Sequence, residues 1–351
     1  MVYVCVRRAY LRDRVAAVSN RTAEVTNGEV LTVLEHGRRF LRVSTPQKQI
    51  GWIEDHLVID EKTYAAFEKL AADSRDDPVT ATAMLNDELY MHVAPGRDTD
   101  HFYLLPANTK VTLLVRASVP KSGAAPPALA HLAEPAREAG KPPAGKTALE
   151  LSEATPPPME DWWLVRDAQG HTGWMLASRL YIDVPDAIAE YGEGQNFVGA
   201  WKIATVNDPE ADTPNHEVPE YLTVMAPPQP GLPFDFNQVR IFTWSRNHHR
   251  YETGFRLHPI EGFLPVKLFI APGPKGSEVP AFSFLLGANG KIKVDPRTGI
   301  AQPVNPRTIE YELIDTQAKR IGPDMAPIET RHEERPADNR KPSRNDRHKR
   351  R

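Results

Sequence analysis

One four-block pattern occurs twice along the chain, and a duplicated pattern limits the fold more than any single motif does. The first copy holds Val30-Leu-Thr-Val-Leu-Glu35, Phe40-Leu-Arg-Val43, Ile50-Gly-Trp-Ile53 and Leu57-Val-Ile-Asp60. The second holds Val111-Thr-Leu-Leu-Val-Arg116, Trp162-Trp-Leu-Val165, Thr172-Gly-Trp-Met175 and Leu180-Tyr-Ile-Asp183. Phe40 to Gly51 is eleven positions, and so is Trp162 to Gly173. Short β-branched and aromatic runs separated by Asn27-Gly28 or Gln169-Gly170 are what small antiparallel barrels look like in sequence. A short helix follows each copy. Tyr64, Phe67, Leu70 and Ala71 form one stripe after an Asp60 N-cap, and Ile188 and Tyr191 share a face between Pro185 and Gly192.

Proline supports a strand-rich and loop-rich chain over a helical bundle: 33 of 351 residues, against a background of about 5%. Nine of the prolines, with ten alanines, fall within 120–158. That stretch has no aromatic residue and no periodic apolar face, so it reads as a disordered insert between strands of the second barrel. Beyond it, strands are expected at Phe197-Val206, Tyr221-Met225, Val239-Trp244, Arg250-Leu257, Leu264-Phe269, Ala281-Leu286 and Thr308-Ile314, with turns at Asn289-Gly290 and Thr298-Gly299. The tail, 331–351, has nine Lys/Arg against four Asp/Glu and one apolar residue, Ala337. It reads as a disordered basic tail.

The chain's 43 Lys/Arg and 46 Asp/Glu give a net charge of −3, which excludes a globally basic nucleic-acid binder. No specific nucleic-acid partner is expected from the tail alone, because a bare charge run binds unspecifically. No run nears the ~18 apolar residues of a membrane helix. Met1 to Val6 is too short for a secretory signal before Arg7-Arg8. A single cysteine, Cys5, forbids an intrachain disulfide and reads as a buried strand residue.

No catalytic constellation is found: no G-x-S-x-G, no H-E-x-x-H and no phosphate loop. His248-His249 with His258 is a poor zinc set, because adjacent strand residues point to opposite faces. Asp208, Glu210 and Asp212 begin like a calcium loop but lack its glycine and terminal glutamate. The expectation is therefore no enzyme, no cofactor and no metal. What remains is aromatic surface. Strand alternation puts Trp163 with Val165 on the inward face, leaving Trp162 and Phe40 to face outward or lie under a loop.

Asp161-Trp-Trp-Leu followed by Gly170-His-Thr-Gly-Trp-Met175 resembles the central strands of a Src-homology-3 (SH3) domain. Leu11-Arg-Asp13 with Gly51-Trp-Ile53 resembles the bacterial SH3 subfamily, typical of cell-envelope proteins. The resemblance implies a peptide groove lined by Trp162 and Trp174 in the second copy and by Phe40 and Trp52 in the first. Glu54 or Leu176 stands where that family has its groove proline, and Leu57 or Arg179 where it has a tyrosine. Only Asp98 and Asp100 remain of its acidic loop.

The expected architecture is thus mainly β: two small SH3-like barrels, each followed by a short helix, then an all-β sandwich or partly open barrel. The expected boundaries are 1–60 (barrel one), 61–84 (helix and linker), 85–183 (barrel two with its insert), 184–330 (short helix plus C-terminal β domain) and 331–351 (tail). The expected function is a non-enzymatic binding or scaffold protein of the bacterial envelope or periplasm, engaging peptide, protein or peptidoglycan. The alternatives are a purely structural multi-barrel protein and a cytoplasmic interaction scaffold.

Overall fold

A computed structural model describes residues 1–16, 18–121, 157–287 and 291–328. The expected tail, most of the expected insert and the Asn289-Gly290 turn lie outside the described residues. The chain is mainly β, and every strand pair is antiparallel. The first unit comprises β1 (Val2–Val4), β2 (Arg8–Arg12), β3 (Arg21–Thr26), β4 (Val30–His36), β5 (Phe40–Ser44), β6 (Ile50–Glu54) and β7 (Val58–Asp60). Helix α1 (Glu61–Asp73) follows. The second unit comprises β8 (Ala81–Leu85), β9 (Leu89–His92), β10 (His101–Leu105), β11 (Lys110–Pro120), β12 (Met159–Arg166), β13 (Thr172–Leu176) and β14 (Leu180–Ile182).

The repeat extends to topology. The first seven-stranded sheet runs β3-β2-β6-β5-β4-β1-β7 and the second β10-β9-β13-β12-β11-β8-β14, the same order shifted by seven strands. The matched glycines have one physical reason in both copies. A Cβ on Gly51 would lie 2.7 Å from Leu11 Cβ, and one on Gly173 would lie 2.6 Å from Met91 Cβ. Only glycine lets β6 and β13 approach β2 and β9 this closely. The second unit starts at Ala81 rather than 85, because Ala81–Leu85 pairs with both β11 and β14.

β11 and β12 pair, with one register shift between Leu113 and Val115, out to Pro120↔Met159, so the described strands are joined right up to where 122–156 is inserted.

Helix α1 forms as the stripe predicts. Asp60 accepts from the Thr63 amide at 2.7 Å, which also draws its carboxyl below the usual range. Such a cap stabilises a helix by about 1 kcal/mol. Phe67 is buried, with its ring 5.6 Å from Tyr103 and 6.1 Å from Phe102 of the second unit. Tyr64 stacks on Tyr3 of the first unit at 4.0 Å. The helix is therefore the wedge between the two units. Asn27, at the predicted turn with Gly28, adds a second tie: its amide donates to the Phe102 carbonyl and accepts from the Leu104 N–H.

The second helix is short, α2 (Asp186–Ala189), with Pro185 as its N-cap rather than inside the first turn. A 3-10 turn continues it over Glu190–Gly192, and Glu193 takes the left-handed position after it. The C-terminal region begins with β15 (Asn196–Asn207), β16 (Glu217–Ala226), β17 (Gln238–Ser245) and β18 (Arg250–Leu257), one four-stranded sheet. β19 (Gly262–Pro272) and β20 (Glu278–Gly287) follow, then a small hairpin, β21 (Ile292–Val294) and β22 (Ala301–Pro303). The chain returns through β23 (Pro306–Ile314) and β24 (Gln317–Ile321), so the second sheet reads β19-β20-β23-β24. All seven strands expected here are present. Leu222, Val224, Val239 and Ile241 of the first sheet share one core with Phe282, Phe284, Ile309 and Tyr311 of the second.

Candidate functional site

The four predicted groove residues occupy matched positions with identical register. Phe40 lies opposite Glu54, and Arg42 opposite Trp52. Trp162 lies opposite Leu176, and Leu164 opposite Trp174. Across the next strand, Arg12 pairs Trp52 in the first unit and His92 pairs Trp174 in the second. Each unit therefore presents the same five-position face: Arg12, Phe40, Arg42, Trp52 and Glu54 in one, His92, Trp162, Leu164, Trp174 and Leu176 in the other.

The two faces have opposite fates. Trp162 and Trp174, expected to line an outward groove, are 2% and 4% exposed. Of the two alternatives, the outward groove does not hold for Trp162 and Trp174: alternation does put Trp162 on the face opposite Trp163, and that face lies under other parts of the chain. Leu70 of α1 and Ile300 pack onto a cluster of Leu114, Ala117, Trp162, Leu164 and Trp174. Gly299, at the predicted Thr298-Gly299 turn, makes the approach possible. It has φ +71°, its carbonyl accepts from the Ser118 N–H at 3.0 Å, and a Cβ there would lie 2.2 Å from the Ser118 oxygen. The Trp162 indole N–H is buried with no acceptor. His92 stands against that ring at 5.1 Å, and burial first, then the nearby His101, holds its pKa down at about 4.

In the first unit the matched face is open. Phe40 and Trp52 are half-buried and Arg42 is exposed, while the alternate residues Leu41, Val43 and Ile53 fill the core. The same alternation on β2 brings half-buried Tyr10 and Arg12 onto this face. Arg21 lies 3.9 Å above the Tyr10 ring. Trp52 is seated against Gly37, where a Cβ would lie 3.4 Å from the indole. Three aromatic rings, Tyr10, Phe40 and Trp52, thus alternate with Arg12, Arg21 and Arg42 on a solvent-facing sheet. Such a surface can stack planar or sugar rings and pair with carboxylates. Tyr10, Arg12, Arg21 and Arg42 escaped the sequence reading, although period-two alternation along Arg8–Arg12 carried the signal.

Two cavities lie elsewhere. A cleft of about 760 Å³ separates the second unit from the C-terminal sheets, lined in part by Trp163, Phe197, Pro227, Pro228 and Leu232. At its side, buried Arg116 donates to Asp161 at 2.9 Å and to the carbonyls of Leu232 and Phe234 at 3.1 and 2.8 Å. Asp235 sits 3.8 Å from the same guanidinium. Burial pushes the Asp235 carboxyl up to about 6, against the pull of Arg116 and the Leu264 N–H. This trio ties two parts of the chain together. A second cavity, about 720 Å³, lies between α1 and the β12–β13 turn. There buried Asp167 holds His171 Nδ1 at 2.8 Å, and His171 stacks on Tyr103 at 4.0 Å.

The other motifs are accounted for by internal partners. Asp208 accepts from Trp244 Nε1 at 2.7 Å and binds His249 at 3.1 Å. The Trp244 bond first, then the Glu210 amide and His249, lowers its pKa. His248 pairs with Glu252 at 2.7 Å. Cys5 is buried just past β1, its thiol donating to the His56 carbonyl, and burial raises its pKa. Among the described residues no three His, Cys, Asp or Glu side chains converge as metal ligands, and no helix is long and apolar enough to cross a membrane.

No family model and no curated protein matches the chain. Among solved structures, an NlpC/P60 family protein from Bacillus cereus aligns at 9% identity over 87% of this chain and 94% of that one, with a TM-score of 0.22. NlpC2 from Trichomonas vaginalis aligns at 10% identity over 86% and 91%, with a TM-score of 0.17. Scores this low describe no common fold.

Proposed function

We propose that the chain is a non-enzymatic binding or scaffold protein whose first unit carries the ligand surface and whose second unit is a structural bracket. The observation behind this reading is the contrast at matched positions: Phe40, Arg42 and Trp52 stay accessible, while Trp162, Leu164 and Trp174 are packed away. Three half-exposed aromatic rings grouped beside arginines on one face have the composition of interaction surfaces. The chemistry fits a ligand with flat apolar faces and carboxylates, which peptidoglycan and acidic peptides both have. The resemblance to the bacterial SH3 subfamily points to the cell envelope as its place of action.

A sedimentation assay of the full chain on purified peptidoglycan tests this. Wild type should be retained at low salt, and Trp52→Ala combined with Arg12→Ala should lose retention while its far-UV spectrum stays unchanged. Absence of retention by wild type would remove the wall-binding reading and leave an acidic peptide as the remaining ligand. The purely structural reading is favoured for the second unit by its two covered faces.

A further inference from the structure

The C-terminal sheet ends on an open edge. β19 pairs with β20 on one side, and among the described residues no strand lies on the other. At its start, Gly262 makes an isolated bridge to Phe236 and the Leu264 N–H donates to Asp235 Oδ2; beyond these, no described strand lies on the outer edge. The run on this edge is Leu268, Phe269 and Ile270, exposed by 40%, 36% and 61%. Side chains alternate along a strand, so three consecutive exposed apolar residues mean that both faces are uncovered here. A bare backbone edge carries unpaired N–H and C=O groups, and the covering that satisfies them is another strand.

We propose that β19 pairs antiparallel with β19 of a second copy, making a twofold dimer centred on Phe269. This goes beyond the ligand surface, which lies on another unit. An antiparallel pair about Phe269 sets each Leu268 opposite the partner's Ile270, apolar on apolar. The one charge in the segment, Lys267, then faces Ala271 of the other copy and never its own equivalent, so no like charges oppose across the ladder. Pro265 and Pro272 bound the segment, which limits the pairing to the apolar run because proline cannot donate to a ladder. A twofold dimer would display two ligand faces on one particle, which raises avidity for a polymer without any new contact.

Analytical ultracentrifugation of the full chain reads the mass directly. Wild type should sediment as a monomer–dimer mixture at micromolar concentration. Leu268→Lys with Ile270→Lys should weaken association at least about tenfold, because lysines then oppose one another across the ladder. Both positions are exposed, so circular dichroism should be unchanged. A second variant checks register. Phe269→Cys should form a disulfide-linked dimer on mild oxidation, because directly opposed residues lie within the ~4.4–6.8 Å that a disulfide spans. Lys267→Cys, four positions from its equivalent, should not. A wild type that stays monomeric up to about 100 µM, where weak specific pairing is still visible, would overturn the dimer. Equal cross-linking at both positions would overturn the register, and unchanged association of the double-lysine variant would show that another surface is used.

Discussion

The first and second units share strand order, register and a glycine contact, yet a sheet face that is open in one is sealed in the other. The difference lies in a few side chains. Where the first unit has Arg42 and Glu54, the second has Leu164 and Leu176, and where the first has Arg12, the second has His92. Charged neighbours keep the Phe40 and Trp52 rings in water, because covering them would strip two or three charges of solvent. Leucine neighbours make covering favourable, and burying a leucine side chain contributes roughly 1.5–3 kcal/mol. The residues flanking its aromatics thus leave this face open in one copy of the unit and covered in the other.

The largest expected contrast is between arginines. Arg116→Ala removes the cation shared by two largely buried carboxylates and two carbonyls, so it should cost about 3–5 kcal/mol in urea unfolding. Arg42→Ala, in an exposed pair with Glu35 at 3.6 Å, should change stability by no more than about 0.5 kcal/mol. Comparable losses would mean that the first unit's outer face is part of the scaffold after all.

Acid should separate the units next. His92 has its folded pKa lowered to about 4 from 6.5. The unfolded chain therefore takes up this proton first as pH falls. The stability that neutral His92 contributes is present above about pH 6.5 and is lost as pH falls toward 4. Urea midpoints followed from pH 7 to pH 4 should drop less for His92→Gln than for wild type. The first unit has Arg12 at this position. An identical pH slope in the two proteins would show that His92 is not held neutral by its packing against Trp162.

The smallest expected effect is at the insert. β11 and β12 are paired to Pro120↔Met159, so replacing 122–156 by a short Gly/Ser turn should change stability by less than about 1 kcal/mol, with a gain more natural than a loss. A loss of several kcal/mol in the same urea assay would mean that the second unit's cover includes this segment.

Much of this was legible in the chain. The Phe40–Gly51 and Trp162–Gly173 spacing gave the repeat, Asp60 gave the helix start, and alternation separated Trp162 from Trp163. Period-two patterns survive without knowledge of the fold because they are local. What covers a face is not local. Leu70 and Ile300 reach Trp162 from about ninety residues upstream and about one hundred and forty downstream, a distance no periodicity spans. The short strands β21, β22 and β24 were missed for a similar reason, since three to five residues carry too little pattern. One clue was available. Leu164 and Leu176 beside the second copy's tryptophans, against Arg42 and Glu54 beside the first's aromatics, already marked which face would be buried.

The matched tryptophans test the account most directly. Urea denaturation of Trp174→Ala and Trp52→Ala in the full chain compares one ring in two settings. Trp174→Ala should cost about 3–5 kcal/mol, the range for truncating a core tryptophan. Trp52→Ala should cost about 1 kcal/mol or less, as expected away from a packed core. Equal and large losses at both positions would contradict the division into a display unit and a construction unit.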